Sequence, residues 1–182
     1  MKITSTKLKD CYIIEPQIFG DDRGYFFESF HLNKFTKATG LAVNFVQDNQ
    51  SSSTFGVIRG LHFQKGVHAQ AKLVRVLSGK VIDVAVDLRP DSETYGQFEA
   101  VELSAENRRQ LFMPRGFAHG FSVLSETAEF AYKCDNYYNK ESEGGIIYND
   151  PDLNIDWKIP IGKEIISEKD QELPQLSALK KK

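Results

Sequence analysis

Cysteine is scarce in this chain. Only Cys11 and Cys134 occur among 182 residues, far apart and without a Cys-x-x-Cys pair. That excludes a disulfide-dense scaffold and a cysteine-rich zinc module; one disulfide stays open, but buried free thiols in a reducing compartment are the expectation. No run of about 18 apolar residues appears anywhere, so neither a membrane span nor a signal peptide is expected, and the chain reads as cytoplasmic. An excess of either charge is also missing: 23 Lys and Arg stand against 25 Asp and Glu, for a net charge of −2. Neither nucleic acid nor an anionic membrane is therefore expected as a partner, although a local basic pocket for one anionic ligand fits. Tryptophan occurs once, whereas there are 13 Phe and 7 Tyr, a balance that suits a β-rich core or a ring-stacking site. The length fits one domain, 1–182, able to bury a core without disulfides or metal.

The pattern along the chain is mostly that of short strands. Tyr12 to Phe19 predicts an early strand with an irregularity at Pro16, and Gly20 to Gly24 a turn. Tyr25 to Phe30 predicts another strand, with Phe26 and Glu28 on one side. His31 to Thr39 is the best helix, with Leu32, Phe35 and Ala38 at helical spacing and Gly40 as its C-terminal cap. Val43 to Asn49 alternates, and Ser51-Ser52-Ser53 reads as a loop. Ala71 to Leu77 and Val81 to Leu88 flank Ser78-Gly79 as a hairpin would. Phe98 to Leu103 and Gln110 to Met113 flank a polar turn, and Phe121 to Leu124 and Glu129 to Asp135 complete the set. Many short strands, few helices and regular turns predict a mainly β sandwich or barrel, with jelly roll leading. The tail, Leu179 to Lys182, is expected to fray.

Two stretches carry more polarity than a scaffold needs. Gly56 to Lys80 places Arg59, His62 and Lys72 among apolar runs, and Met113 to Phe121 holds Pro114-Arg115-Gly116-Phe117-Ala118-His119. A histidine is the natural base near neutral pH. Lys72 shares a strand face with Val74 and Val76, so it needs either water or an anionic partner. Tyr132 alternates with Phe130 and Cys134, so a core tyrosine and a catalytic one are equally consistent with parity. Asp170 lies in a charged segment that would otherwise read as solvated, and Tyr138 beside Tyr137 could serve only strand packing. Simple alternation sets Arg59 and His62 on opposite faces unless Gly60 marks a bulge or a strand end.

The two stretches resemble the paired signatures of the cupin superfamily, which implies a jelly-roll β-barrel with core about 42–140. Where such barrels hold a metal, the first signature supplies His-x-His and a nearby acid; here it reads His62-Phe63-Gln64, with Lys72 in the acid's place. Amide and ammonium are poor substitutes for imidazole and carboxylate, so no metal and no cofactor are expected. Gly60 to Gln64, Pro114 to Phe121, Tyr132-Lys133-Cys134 and Asn149-Asp150-Pro151, with Arg23-Gly24 to Glu28 and Gln47-Asp48-Asn49, together resemble the dTDP-4-dehydrorhamnose 3,5-epimerase family from about Tyr12 to Leu176. The resemblance implies epimerisation at C3 and C5 of a dTDP-linked 4-keto-6-deoxyhexose, in the branch that supplies L-rhamnose. His62 would be the base, Asp170 its orienting acid, Tyr132 the proton donor on the opposite sugar face, and Lys72 the stabiliser of the enolate. Arg23, Phe26, Glu28, Gln47, Asn49, Arg59, His119, Tyr138, Glu143 and Lys169 would contact substrate, Tyr138 stacking on thymine. The family also implies a homodimer with exchanged N-terminal strands, which would take Arg23 and Glu28 to the partner's pocket, and a C-terminal segment packed back on the barrel. Tyr148 departs from the family's usual Trp, for which repacking around another aromatic is the expectation. A 3-only epimerase, a keto-isomerase and a non-catalytic sugar-binding cupin are the rival readings.

Overall fold

The computed structural model describes residues 1–179; Leu179, expected to fray, instead ends a short helix (Leu176–Leu179) packed on the core, and the rest of that expectation, on 180–182, lies outside the described residues. Two β-sheets face each other. One has six strands in the order β1 (Lys2–Ser5), β2 (Tyr12–Glu15), β10 (Gln110–Met113), β7 (Lys72–Ser78), β12 (Thr127–Cys134), β5 (Gln47–Thr54). The other has five, in the order β13 (Glu143–Gly145), β6 (Ile58–Gln64), β11 (Phe117–Val123), β8 (Lys80–Asp87), β9 (Phe98–Ser104). A separate hairpin, β3 (Ile18–Asp21) with β4 (Gly24–Phe27), stands apart from both. From β5 to β8 the chain alternates between the two sheets, and again from β9 to β12. This is the jelly-roll arrangement that the strand pattern predicted.

Several local expectations are corrected. Ser78-Gly79 is not a hairpin turn, because β7 and β8 belong to different sheets; it is the corner between them. Gly79 has φ 79°, and a Cβ there would lie 2.1 Å from the Thr127 carbonyl oxygen, so the corner needs glycine. The turn between β9 and β10 crosses between sheets in the same way. Ser51 to Ser53 lie within β5 rather than in a loop, paired with Phe130 to Ala128, because a full ladder with β12 outweighs the low strand preference of serine. Tyr12 to Phe19 is two strands, broken after Glu15. The helix α1 (Leu32–Thr39) ends as predicted: Gly40 is left-handed at φ 75°, and its N–H donates to the Thr36 carbonyl.

Apolar side chains fill three layers. Between the sheets lie Val74, Val76, Val81, Ala85, Phe117, Phe121 and Phe130, with the Phe121 and Phe130 rings stacked at 4.2 Å. α1 covers the outer face of the six-stranded sheet through Phe35, which packs edge-on against Phe112. The C-terminal segment covers the outer face of the other sheet, where Trp157 and Leu176 meet Val84, Val86 and Ala118. Asp150 ties this cover down. Its two carboxylate oxygens accept the N–H groups of Asp152, Leu153 and Leu176, so Asn149-Asp150-Pro151 is an anchor in this fold. Tyr148 packs against the same layer, and its carbonyl accepts the Trp157 indole N–H.

One irregularity governs where side chains point. β11 pairs His119 with His62 but Phe121 with Arg59, so Gly60 and Leu61 together oppose Gly120. This two-against-one bulge restores Arg59 and His62 to the same face, which plain alternation forbids. The backbones meet closely there. A Cβ on Gly60, whose φ is 115°, would lie 2.7 Å from the Gly120 Cα, and one on Gly120 would lie 2.6 Å from the Arg59 oxygen. Gly120→Ala is therefore expected to destabilise the fold by about 2 kcal/mol or more in urea unfolding, the cost of forcing extra volume into a packed interior. A loss below roughly 0.5 kcal/mol, as for an ordinary surface change, would show that the two strands separate freely.

Candidate active site

The cavity between the sheets has a volume of about 650 Å³, and Arg59, His62, Lys72, His119, Tyr132 and Asp170 all line it. Asn49 and Lys169 line it too. The bulge turns Arg59 and His62 inward from β6, while parity does the same for Lys72 on β7, His119 on β11 and Tyr132 on β12. Phe121 contributes an apolar wall.

Asp170 reaches this group from the far end of the chain. Val57 and Ile165 form a parallel bridge, with Ile58 N–H donating to the Ile165 carbonyl and Ile165 N–H to that of Gly56. That pairing lays residues 165–167 beside the start of β6. Ser167 then caps α2 (Glu168–Gln171), its side chain accepting from the Asp170 N–H. Asp170 is 4 % exposed. Its Oδ1 lies 2.7 Å from His62 Nε2, and its Oδ2 accepts the Gly60 N–H at 3.1 Å. Burial pushes this carboxyl's pKa upward, but the hydrogen bond and charge attraction from His62, with the Gly60 and Ser167 contacts, hold it below the ordinary value. An ionised carboxylate only accepts, so Nε2 of His62 carries the proton and Nδ1 is the free basic nitrogen.

The remaining groups are held in distinct electrostatic states. Among the described residues no carboxylate lies within ion-pairing distance of Lys72. Burial lowers its pKa, while Cys134, Asp83 and Glu143 act the other way. Its Nζ sits 5.8 Å from the Tyr132 ring centroid. Burial raises the pKa of the Tyr132 phenol, which keeps it a proton donor. His119 Nε2 lies 2.7 Å from Asp83 Oδ1, and burial holds the imidazole below its ordinary value despite that acid. Arg59 Nε donates to Ser53 Oγ at 3.1 Å.

Other sequence-predicted residues form a rim. The Tyr138 hydroxyl donates to Glu143 Oε2, and Lys169 Nζ lies 2.6 Å from Glu143 Oε1. Burial raises the Glu143 carboxyl, and those two partners outweigh it, so its pKa is lowered overall. Gln47 accepts the Tyr138 N–H and donates to Asn49. Arg23, Phe26 and Glu28 are not brought to the cavity of their own chain. Arg23 pairs with Asp21 and Glu28 with Lys34 on and beside the exposed β3–β4 hairpin. Phe19, Tyr25 and Phe26 are 55 %, 61 % and 66 % exposed there.

A family model described as dTDP-4-dehydrorhamnose 3,5-epimerase matches residues 5–178. The chain belongs to the dTDP-4-dehydrorhamnose 3,5-epimerase family. It is 52 % identical over 179 residues to the dTDP-4-dehydrorhamnose 3,5-epimerase of Escherichia coli K12, covering 98 % of this chain and 96 % of that one. The crystal structure of the enzyme of that name from Elizabethkingia anophelis NUHP1 superposes with a TM-score of 0.95 at 63 % identity, covering 98 % and 97 % of the two chains. The dTDP-6-deoxy-D-glucose-3,5-epimerase of Legionella pneumophila Philadelphia 1, solved in complex with dTDP-4-keto-L-rhamnose, superposes with a TM-score of 0.92 at 50 % identity, covering 97 % and 93 %.

Within this epimerase-family site, sequence reasoning missed the supporting groups. Asp83 was readable, since alternation sets it on one face with Val81 and Ala85, and an acid on an apolar face needs a partner. Ser53 was hidden by reading the serine run as a loop. Ser167 and the Gly60 N–H gave no signal, because their roles depend on a contact across 110 residues. The two cysteines are buried free thiols, and burial pushes Cys11 up to about 12 and Cys134 to about 11. Asp170→Asn keeps the shape of the His62 contact but removes its charge. It is expected to lower kcat by roughly 10²- to 10⁴-fold, by analogy with other His–Asp pairs, with little change in dTDP affinity. Wild-type kcat in this variant would show that the pair is structural.

Proposed function

We propose that this protein epimerises dTDP-4-dehydro-6-deoxy-D-glucose at C3 and C5 to dTDP-4-dehydro-L-rhamnose, in L-rhamnose biosynthesis. The observation that carries this reading is the buried His62–Asp170 pair sharing one cavity with Tyr132 and Lys72. The 4-keto group acidifies the C–H bonds at C3 and C5. Nδ1 of His62 takes one such proton, and the C–H electron pair moves onto the keto oxygen as an enolate. Asp170 stabilises the imidazolium that forms. The Lys72 ammonium stabilises the enolate oxygen, in a cavity where water competes weakly. Tyr132 donates its phenolic proton to the other face of the carbon, which inverts it, and solvent then resets both groups. The same cycle serves the second carbon.

Arg59 and His119 meet the diphosphate and sugar in this reading. Tyr138 stacks on thymine, and Gln47, Asn49, Glu143 and Lys169 make polar contacts around the nucleotide and sugar. No metal is required. Gln64, at the position where a cupin ligand would stand, has its side-chain oxygen occupied by the Asn139 N–H, and Lys72 brings a positive charge. The protein acts as a cytoplasmic homodimer, with each β3–β4 hairpin extended to its partner so that Arg23, Phe26 and Glu28 complete the other cavity. The exposed aromatic face of that hairpin supports this arrangement.

Proton NMR of the substrate in D2O tests the reaction. Wild-type protein should introduce deuterium at both C3 and C5, and His62→Ala should abolish exchange at both. Tyr132→Phe should impair completed inversion more than first exchange. Exchange at C3 alone would instead make the protein a 3-epimerase, and near-wild-type turnover by His62→Ala would remove His62 from the base's role. Co-expressed His62→Ala and Arg23→Ala chains test the exchange of hairpins. A purified mixed dimer then holds one fully intact site of its two, so its activity should rise toward half of wild type. Activity no higher than the mean of the two parents would place Arg23 in service of its own chain.

A further inference from the structure

Behind the cavity wall lies a second histidine–carboxylate pair, His119 and Asp83, that the proton transfers above leave unused; His119 lines the cavity and Asp83 stands behind it. Asp83 projects inward from β8 and is fully buried. One of its oxygens meets His119 Nε2 at 2.7 Å. The other, Oδ2, is buried with no hydrogen-bond partner among the described residues. An orphaned carboxylate oxygen in a protein interior is costly, so its retention calls for a compensating charge. Lys72 is the complementary case: a lysine lining the same cavity with no carboxylate at ion-pairing distance among the described residues. The strand order explains the juxtaposition. β7 and β8 are joined by the Gly79 corner and lie in opposite sheets, so the inward faces that carry Lys72 and Asp83 look toward one another.

We propose that Asp83 is a positioning residue for the epimerisation: it fixes the His119 tautomer, and its free oxygen supplies the buried negative charge that keeps Lys72 an ammonium at working pH. The inference rests on the reading of Lys72 as the group that stabilises the enolate. As acceptor, Asp83 requires a proton on His119 Nε2, which leaves Nδ1 as the nitrogen open to a ligand. A neutral amine could not stabilise an enolate oxygen by charge, so the step depends on Lys72 holding its proton. Burial works against that proton, and Asp83 is one of three groups that work for it, with Cys134 from β12 and Glu143 from β13. Cys134 is a neutral thiol at working pH, because burial raises its pKa to about 11. Glu143 is already occupied by Lys169 and Tyr138. His62 from β6, His119 from β11, Arg59 from β6 and Tyr132 from β12 line the same cavity and add no negative charge at neutral pH. Asp170, which lines the cavity, is satisfied by His62 and Gly60. Asp83, buried behind His119, is thus the carboxylate next to the cavity with an oxygen to spare.

The sign of the effect follows. Asp83→Asn removes the charge that raises the Lys72 pKa, so Lys72 should lose its proton at lower pH. The alkaline limb of the kcat profile should move down by roughly one to three pH units, the usual effect of one nearby charge. Activity should recover partly as pH falls, with dTDP affinity nearly unchanged. In wild-type protein, long-range ¹H–¹⁵N spectra should show His119 protonated at Nε2, and Asp83→Asn should relax that preference. An alkaline limb that stays in place while kcat falls equally at every pH would overturn the proposal, whatever the change in Tm. If Asp83→Asn does not fold, direct titration of the Lys72 amine by ¹⁵N NMR in wild-type protein decides. A Lys72 amine that is still protonated at pH 7.5, together with protonation of His119 at Nε2, supports the proposal, and a neutral amine at that pH sinks it. Failure of the underlying site reading is distinguishable, because Lys72→Ala would then retain turnover.

Discussion

One carboxylate holds this active site together. Asp170 accepts from the Gly60 backbone with one oxygen and meets His62 with the other, so it fixes both the bulge and the imidazole that the bulge turns inward. Without the bulge, His62 and Arg59 would face opposite sides of β6, and the cavity would lose one of them. Without Asp170, the Gly60 N–H would lose its partner within the fold and the His62 tautomer would be undefined. The contact closes a loop of 108 residues, whose entropic cost is repaid by the apolar cover that the same segment lays over the five-stranded sheet. Catalytic geometry and the burial of Trp157 and Leu176 are therefore coupled through one short helix.

The electrostatics of the cavity have a consistent logic. Two imidazoles, each backed by a carboxylate, face with the Lys72 and Lys169 amines and the Arg59 guanidinium a volume that an anionic sugar nucleotide would fill. Each histidine is fixed by an acid behind it, so neither acid competes directly for the ligand. Burial pulls Lys72 and His119 toward neutrality and Tyr132 toward retention of its proton. On the proposed roles, burial favours the protonated donor Tyr132 but works against the Lys72 cation, which depends on nearby negative charge.

Much of this was legible in the sequence, for reasons that differ by residue. Strand alternation put Tyr132 on one face of β12 with Phe130 and Cys134, and the spacing around Phe35 with the Gly40 cap found α1. The pairing of strands was not legible. Ser78-Gly79 carries the chemistry of a hairpin turn, but whether a tight corner joins neighbours in one sheet or crosses between two depends on what the flanking strands bury. The polar run through Ser53 misled for a related reason, since the ladder with β12 is a property of both strands together. Gly60 was recognisable only as a suspect. Deciding that it forms a bulge required knowing that Gly120 sits opposite, with room for no side chain on either. The family resemblance supplied Asp170, which local pattern alone would have left among the solvated acids.

The division of labour between strands and edges has a further consequence. His62, Lys72, His119 and Tyr132 stand on strands within the two sheets, where neighbours on both sides limit their motion. Tyr138 stands on a connection, Glu143 on the three-residue edge strand β13 and Lys169 on a four-residue helix, and Arg23 and Phe26 belong to a hairpin outside both sheets. Proton transfer tolerates displacements of only about 0.5 Å, whereas nucleotide binding can be shared among adaptable contacts. A rigid barrel interior with a softer rim suits an enzyme that must hold one sugar carbon in register while admitting and releasing a substrate with a large charged nucleotide attached. On this argument, changes in the rim would alter the grip on the sugar while leaving the groups proposed as acid, base and cation where the two sheets hold them.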